Sequence, residues 1–331
     1  GASLKRANFK AIYGCGSTSI SRALFTHADL SGAQFGGFID ARLADFSFTN
    51  LEGSTFSGGE TTGPNEHPAE RNKATGNWVQ ANFTSANLKD TEFGLLFNLG
   101  LHSSNYHRMS LDFTGANFAG AAMQGLRIQL VPNTDWFSRQ WRCCELFGMA
   151  TFENAIFDGA NMERMVMKLA GEVNTERRNI MSIKNLFLVV SFCGASFKGT
   201  NLNFAFIQGG VFDNFSGADL RRARFEHTLF LPDTRFDGAR LEHTVFKKCF
   251  VALPSLVGPL RDSLVGPLRD LFSKYRAYTD LYKPKSSPSY YKDDDEWRSF
   301  QWSSLIRPLQ LSDLAGSVQT EKAVLLSSDV E

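Results

Sequence analysis

Large apolar residues recur at every fifth position over long stretches of this chain, and a small residue stands two places before most of them. The pattern is clearest between Ala218 and Phe246, where one extra residue near Pro232 breaks the spacing. A period of five fits neither the helical period of about 3.6 residues nor the strand period of about two. It is an internal repeat, and such a repeat decides the fold before local propensities do.

A period of five has a simple physical interpretation. Four units, each forming one short side, close a four-sided coil of about 20 residues, and successive coils stack at the strand spacing of about 4.8 Å. The large residue points inward, the small residue lies inside next to the corner, and the other positions face water. No unit buries its apolar side alone, so neighbouring coils must stabilise one another. The clearest predicted core residues are Phe197, Leu202, Leu220, Phe225, Phe230, Phe236, Leu241 and Phe246.

Registered triplets such as Ala7-Asn8-Phe9 and Ala28-Asp29-Leu30 give the chain a family resemblance. The chain resembles pentapeptide-repeat proteins, whose consensus is A-(D/N)-L-x-x. The resemblance covers most of residues 2–251. It implies a mainly β fold, a right-handed, four-sided parallel β-helix solenoid, to which this sequence adds loop or helical inserts, a C-terminal helix and an extended arm. It implies little about a reaction, because a fold does not fix a function.

The repeat divides the chain into a predicted β-helix over residues 1–251 with inserts at about 58–77, 94–110, 129–149 and 168–184. The register skips over residues 36–43, where we expect Phe38 and Leu43 to be the inward residues. Three blocks of four repeats are each followed by an insert, so the inserts should leave one corner and form a ridge. Such a ridge is either a binding face or tolerated surface padding. Trp136 and Trp141 favour binding, because bare tryptophans are costly.

The C-terminal part lacks the repeat. Residues 252–283 contain the octapeptide SLVGPLRD twice in tandem, followed by an apolar helical face, and are predicted to form a helical cap on the last coil. Residues 284–331 are charged, aromatic and rich in Pro and Ser, which fits either an extended arm or a disordered tail. Large apolar groups favour an arm that binds a partner, and the predicted contact residues there are Tyr290, Tyr291, Trp297, Phe300 and Trp302.

Composition and motifs point away from several functions. The chain has 331 residues and a net charge of +1, and residues 1–251 carry 25 basic and 23 acidic side chains, after the tail's 10 and 11 are subtracted from 35 and 34. This balance argues against nucleic-acid binding. No phosphate-binding, hydrolase-elbow or zinc-protease motif occurs. His227 and His243 are expected at different corners, both solvated, so we predict no catalytic, cofactor-binding or metal-binding residues and no cofactor.

The five cysteines give no C-x-x-C spacing. Cys249 is expected in a small inward position. The adjacent Cys143 and Cys144 lie in an insert, where they are either a redox pair or inert. The cysteine count does not indicate a compartment.

The sequence therefore predicts a non-catalytic structural or interaction protein, an accessory, scaffold or assembly subunit that docks with protein subunits of a larger complex through its inserts and arm. A topoisomerase-protecting DNA mimic, a role known in the family, and an enzyme with its site in the inserts are the alternatives. No apolar run is long enough to span a membrane, which leaves peripheral contact with a membrane complex. By family analogy we expect an algal photosynthetic complex and the thylakoid lumen. The first residue is Gly1, which suggests a processed chain.

Overall fold

The computed structural model describes residues 2–10, 18–58, 61–62, 76–97, 106–132, 145–168, 185–252, 306–314, 317 and 323–326. Within these residues the chain winds into four-sided coils that stack in parallel. Backbone amides of one coil donate to carbonyls of the next, as from Phe83 N to Asn117 O at 2.6 Å and from Leu88 N to Ala122 O at 2.7 Å. The predicted mainly β solenoid is confirmed.

Two sides of the coil are continuous sheets. Sheet 1 has ten strands, in the order β1 (Asn8–Lys10), β3 (Gln34–Gly36), β5 (Thr55–Ser57), β8 (Glu92–Phe97), β10 (Arg127–Pro132), β12 (Val166–Lys168), β14 (Phe206–Gln208), β16 (Arg224–Glu226), β18 (Val245–Lys247) and β21 (Val324–Leu326). Sheet 2 has eleven strands, ten of which follow the order β2 (Thr18–Ser19), β4 (Ile39–Asp40), β7 (Gly76–Asn77), β9 (Tyr106–Asp112), β11 (Glu145–Thr151), β13 (Asn185–Ser191), β15 (Val211–Asn214), β17 (Leu229–Arg235), β19 (Phe250–Ala252) and β20 (Ile306–Pro308). The short strand β6 (Thr61–Thr62) pairs with β9 outside this order.

The other two sides consist of single bridges between successive coils. We call one of them the Phe side, because its inward residues are phenylalanines, and its bridges join Leu24, Asp45, Asn82, Asn117, Ile156 and Ser196 in turn. We call the other the Leu side, because most of its inward residues are leucines. Its bridges join nine residues: Ser3, Asp29, Asn50, Asn87, Ala122, Asn161, Asn201, Asp219 and Arg240. Several bridges are reinforced by side-chain amides, as where Asn87 Nδ2 donates to Asn50 Oδ1 at 2.9 Å. The polar second residue of each repeat therefore links one coil to the next.

The residue after each bridge points into the core, and the two sides differ in what they bury. The Phe side places phenylalanine at every level, and adjacent rings stack at centroid distances from 4.7 Å for Phe25–Phe46 to 5.6 Å for Phe215–Phe236. The Leu side buries leucine or methionine instead, such as Leu51 and Met123. Each predicted core residue is at most 2% exposed, namely Phe197, Leu202, Leu220, Phe225, Phe230, Phe236, Leu241 and Phe246.

The small positions are buried as well, and they accept threonine because its hydroxyl finds a partner. Thr244 Oγ1 donates to Leu220 O of the previous coil at 2.7 Å, and Thr200 Oγ1 donates to Phe157 O at 2.7 Å. A buried hydroxyl would be destabilising without such a bond. Alanine and threonine are therefore interchangeable beside the corner.

The expectation for residues 36–43 was wrong. Leu43 is 46% exposed at a corner, where its φ is +58°, and Phe38 is only half-buried. Ile39 and Ala41 point inward instead, at 2% and 0% exposure. The small Ala41 suffices because Trp78 of the next coil fills the space, 5.4 Å from the Phe35 ring and 5.8 Å from the Phe46 ring.

The irregularity near Pro232 is a bulge in sheet 2. Strand β17 pairs Phe230 with Phe212 and then Arg235 with Asn214, so it carries extra residues that β15 lacks. Leu231, inside the bulge, is 2% exposed. The extra chain length is thus absorbed without disturbing the inward column.

The last coil is covered by the C-terminal part of the chain. Strand β20 pairs antiparallel with β19, and β21 extends sheet 1 in parallel with β18. Between them lies a 3-10 helix, Leu311–Leu314, and Leu309 and Leu314 join the core at 8% and 0% exposure. Part of the predicted arm over residues 284–331 therefore packs on its own rod. The helical cap predicted for 252–283 lies outside the described residues except for Ala252, which ends β19.

Candidate interaction surface

All four predicted inserts connect the same two sides of the rod. The chain leaves sheet 1 after β5, β8, β10 and β12, and it next enters sheet 2 at β7, β9, β11 and β13. We call this edge of the rod the insert corner. Because the connections fall at successive levels, the strand ends at which the inserts leave and rejoin the rod lie one above another.

The strands at the insert corner run past the four-sided coil. β8 pairs with β10 from Glu92↔Arg127 to Phe97↔Pro132, whereas β12 pairs with β10 only up to Gln129. On the other side, β9, β11 and β13 pair over their full lengths. The Cα atoms of β8 approach those of β9 within 8 Å. Both sheets therefore continue outward as a two-layered projection, which we call the insert flange and which comprises 95–97, 106–109, 130–132, 145–148 and 185–188.

The predicted partner-binding side chains lie outside the described residues. This applies to Trp136 and Trp141 in the third insert and to Tyr290, Tyr291, Trp297, Phe300 and Trp302 in the arm. It applies equally to Cys143 and Cys144. The described backbone on either side of the third insert belongs to β10 and β11, so this insert begins and ends in the insert flange.

Burial shifts the pKa values of Glu153 and His227, and these two side chains lie apart. Burial, and then the nearby Asp112 charge, raises the pKa of Glu153, while burial and the nearby Lys248 lower the pKa of His227. Glu153 follows β11 and His227 follows β16, which are three coil levels apart, about 14 Å at strand spacing. This geometry does not bring the two groups together for acid–base chemistry.

The two histidines lie at different corners, as expected, but the expectation that both are solvated was wrong for His227. His227 follows sheet 1 and His243 follows the Leu side, so they occupy different corners. The His243 side chain is 62% exposed. His227 is only 8% exposed, because just two residues connect β16 to β17 and Thr228 and Leu229 beside it are buried.

Cys249 occupies the small inward position that the sequence indicates. Its Sγ lies 3.5 Å from Phe225 O, and burial raises its pKa to about 12. Such a thiol is unreactive at neutral pH. Among the described residues, no group of three or more His, Cys, Asp or Glu side chains could hold a metal ion. Within the same residues, no helix is long and apolar enough to cross a bilayer.

Sequence reasoning missed a surface at the N-terminal end. Of the seven large hydrophobic side chains found exposed in the described residues, four lie in the first two coils: Leu4 at 38%, Leu24 at 79%, Leu43 at 46% and Phe48 at 55%. The signal was present, since Leu24 and Phe48 are large apolar residues in outward positions of the repeat.

Comparison with known families identifies the repeat. Residues 18–58 match the family described as Pentapeptide repeats in eight copies, and the coil defined by those residues continues to Ala252. The chain carries pentapeptide repeats. No curated protein matches this pentapeptide-repeat chain at the threshold of the comparison.

Solved structures of similar proteins include two with informative names. A trypsin-treated form of QnrB1, a plasmid-mediated fluoroquinolone resistance protein, is 19% identical, with 75% of this chain and 92% of that chain covered and a TM-score of 0.28. HetL, a pentapeptide-repeat protein involved in heterocyst differentiation regulation in the cyanobacterium Nostoc sp. strain PCC 7120, is 14% identical, with 75% and 82% covered and a TM-score of 0.20. Likenesses of this size do not transfer a function to this pentapeptide-repeat protein.

Proposed function

We propose that this chain is a non-catalytic interaction protein, an accessory, scaffold or assembly subunit that binds protein partners through its insert flange and its arm. The observation that carries the proposal is the convergence of the inserts on one corner, where β8 and β10 on one side and β9, β11 and β13 on the other continue as paired sheets. A surface built from successive repeats is broad and rigid, as partner recognition requires.

The packing and hydrogen bonding of the rod support this role. Its interior is filled by stacked side chains, and its side-chain amides link one coil to the next, so the rod itself serves as a support. The flange is the part that departs from the repeat. Binding residues are commonly placed on such departures from a rigid scaffold. Trp136 and Trp141 in the insert and Trp297, Phe300 and Trp302 in the arm belong to the residue types that dominate interface energies.

We also propose which larger assembly contains this chain. We place it in a photosynthetic membrane complex of the thylakoid, with this chain as a peripheral subunit on the lumen side. The support is analogy with pentapeptide-repeat proteins in cyanobacteria and plastids. Mass spectrometry of proteins that co-purify with the native chain tests this directly.

The binding surface is tested by substitution. Trp136→Ala with Trp141→Ala, and separately Trp297→Ala, Phe300→Ala and Trp302→Ala, should each release the same co-purifying proteins. Ile156→Ser is the matched control, since Ile156 is 39% exposed on the Phe side, away from the insert corner. Co-purification that survives both sets of substitutions would contradict the proposal.

A further inference from the structure

The outer face of sheet 1 changes character along the rod. In each strand a residue such as Ile207 points inward, so the residue before it points outward. In the first five strands the outward residues are all polar, namely Asn8, Gln34, Thr55, Glu92 and Arg127. In the next five strands the same column holds Val166, Phe206, Arg224, Val245 and Val324. We call this second set the apolar stripe.

The members of the apolar stripe are neighbours on adjacent strands. Val166 pairs with Phe206, and Val245 pairs with Val324, which is 44% exposed. Arg224 stands between the two pairs, and its Nε donates to Glu226 Oε1 at 2.6 Å. Its charge is therefore matched, and its aliphatic stem continues the stripe. Single exposed apolar residues are ordinary on protein surfaces, whereas a row of them indicates an interaction site.

Basic side chains flank the apolar stripe on both sides. One flank is the corner between the Leu side and sheet 1, whose residues have positive φ. At successive levels this corner holds Arg164, Phe204, Arg222 and His243. The other flank is the outward column of sheet 1 that begins at Lys168 and continues through Gln208 and Glu226 to Lys247.

The charge of this surface is positive. The stripe and its two flanks contain five cations, namely Arg164, Lys168, Arg222, Arg224 and Lys247, and the one carboxylate of Glu226. Glu163 and Glu242 lie outside these columns, on the Leu side, where they approach Arg164 and His243 at 3.7 and 3.9 Å. A partner that places carboxylates on both flanks and apolar groups on the stripe is complementary in both respects.

The corner flank is also aromatic. Phe204 is 44% exposed, and the guanidinium carbon of Arg222 lies 5.1 Å from the centroid of its ring. A guanidinium stacked on a ring keeps N–H donors in its own plane for a carboxylate. Phe204 and Phe206 stand on either side of the inward Ala205, so both rings lie outside at one level. Phenylalanine and arginine are both enriched in protein interfaces.

The spacing of the apolar stripe fits a helix that lies along the rod axis. Four strand steps separate Val166 from Val324, which amounts to about 19 Å. A helix of about 13 residues has this length, and side chains on one of its faces recur about every 5.4 Å, close to the strand step of about 4.8 Å. In an extended segment, side chains on one face recur about every 6.7 Å and fall out of step with the stripe.

We infer that the apolar stripe binds an amphipathic acidic helix of a partner protein, whose apolar face covers the stripe and whose flanking carboxylates meet the basic residues on either side. Nucleic acid matches the charge but offers no aliphatic groups for the valines. A second copy related by a two-fold axis would oppose cations to cations, because both flanks are basic. The inference shares with the proposed function only that the partner is a protein, since this surface lies outside the insert flange.

The test uses the purified full-length chain and a labelled synthetic helical peptide of about 15 residues, with Leu at i, i+4, i+7 and i+11 and Glu on both sides of that face. Arg222→Glu with Lys168→Glu reverses one charge on each flank. Arg22→Glu with Lys198→Glu is the matched control, because Arg22 has the backbone conformation of Arg222 at a different corner and all four residues are exposed. Peptide binding should weaken at least about tenfold in the first variant and less than about twofold in the control.

The apolar part of the site is tested separately. Phe206→Ser with Val245→Ser should also weaken binding of the acidic peptide at least about tenfold, whereas Ile156→Ser on the Phe side should leave it unchanged. A peptide with Lys in place of Glu should bind the Arg222→Glu/Lys168→Glu chain better than the wild type. This exchange of preference is not expected from a variant that is merely destabilised.

Several outcomes would overturn the inference. The acidic peptide should bind the wild-type chain, and failure to do so, or equal binding to the charge-reversed and control variants, would remove the site. Tighter binding of a labelled single-stranded DNA, lost in the same variant, would make nucleic acid the occupant. Self-association in sedimentation that this variant abolishes would make it a second copy. Because only purified chain and synthetic probes are used, each failure is separate from failure of the co-purification experiment.

Discussion

The first and the last described coils of this rod have the same four-sided form but are buried to different extents. At the C-terminal end, β20 and β21 pair with the last coil, and Leu309 and Leu314 complete its interior. At the N-terminal end, Leu4 is 38% exposed and the Phe9 and Phe25 rings are partly exposed. In a repeat protein each coil is stabilised by the coils on both sides. The difference shows that the inward residue type alone does not determine burial, because a neighbour is also needed.

The largest expected contrast is between phenylalanines of the same column at the two ends. Phe246 is 2% exposed and stacks on Phe225 at 5.1 Å beneath β21, while Phe9 stacks on Phe35 at 4.9 Å and has no coil beyond it among the described residues. Phe246→Ala should lower the free energy of unfolding by about 3 to 5 kcal/mol. Phe9→Ala should lower it by about 1 to 2 kcal/mol, because less area leaves water on folding. Urea denaturation measures both, and equal losses would mean that the first coil is also covered.

The covering residues themselves are the next test. Leu314 is fully buried in the 3-10 helix, and Leu314→Ala should cost about 2 to 4 kcal/mol, because it leaves a cavity over the last coil. Leu4→Ala in the first coil, where Leu4 is 38% exposed, should cost less than about 1 kcal/mol. Hydrogen exchange of the β19 amides should accelerate in the Leu314 variant and not in the Leu4 variant. Unchanged exchange in both would show that the C-terminal segment does not protect the last coil.

The same two ends show what the sequence could predict. The period of five identified the inward column, because a large apolar residue at this fixed repeat position points into the interior of the coil. The blocks of four repeats between inserts also indicated the insert corner, since four sides make one coil. Both inferences use local spacing. They describe the middle of the rod well.

The wrong or missing predictions concern contacts between residues on different coils, which the spacing of residues along the sequence does not show. Leu43 was expected inside because it is large, yet Ala41 takes that position because Trp78, from the next coil, fills the space. Val324–Leu326 carries no repeat signal, and its place in sheet 1 depends on pairing with Val245–Lys247, far away in the chain.

A smaller difference should appear in the buried hydroxyls. Thr244 lies near the covered end, where its Oγ1 donates to Leu220 O at 2.7 Å in a fully buried position. Thr244→Val should destabilise the protein by about 1 kcal/mol, since the shape is kept and the hydrogen bond is lost. Thr26 belongs to the first coil, is exposed, and donates to Asp45 at 3.3 Å, so Thr26→Val should change stability by less than about 0.5 kcal/mol. Thermal unfolding of the two variants measures these stability changes. A larger loss of stability in Thr26→Val than in Thr244→Val would contradict the prediction.

The smallest expected effect is a pH dependence at the covered end. His227 is buried at the insert corner in the last described coil but one, and burial together with Lys248 lowers its pKa from the ordinary 6.5. Since the unfolded chain then binds the proton more readily than the folded chain, stability should fall as the pH drops below about 6.5. Glu226 opposes this shift and Lys247 adds to it, so the net effect should be modest. His227→Gln removes the titrating group, and the difference in unfolding free energy between wild type and variant should be flat above pH 7 and slope below it. A difference that stays constant down to the acid limit of the folded state would show that this histidine protonates as easily in the rod as in the unfolded chain.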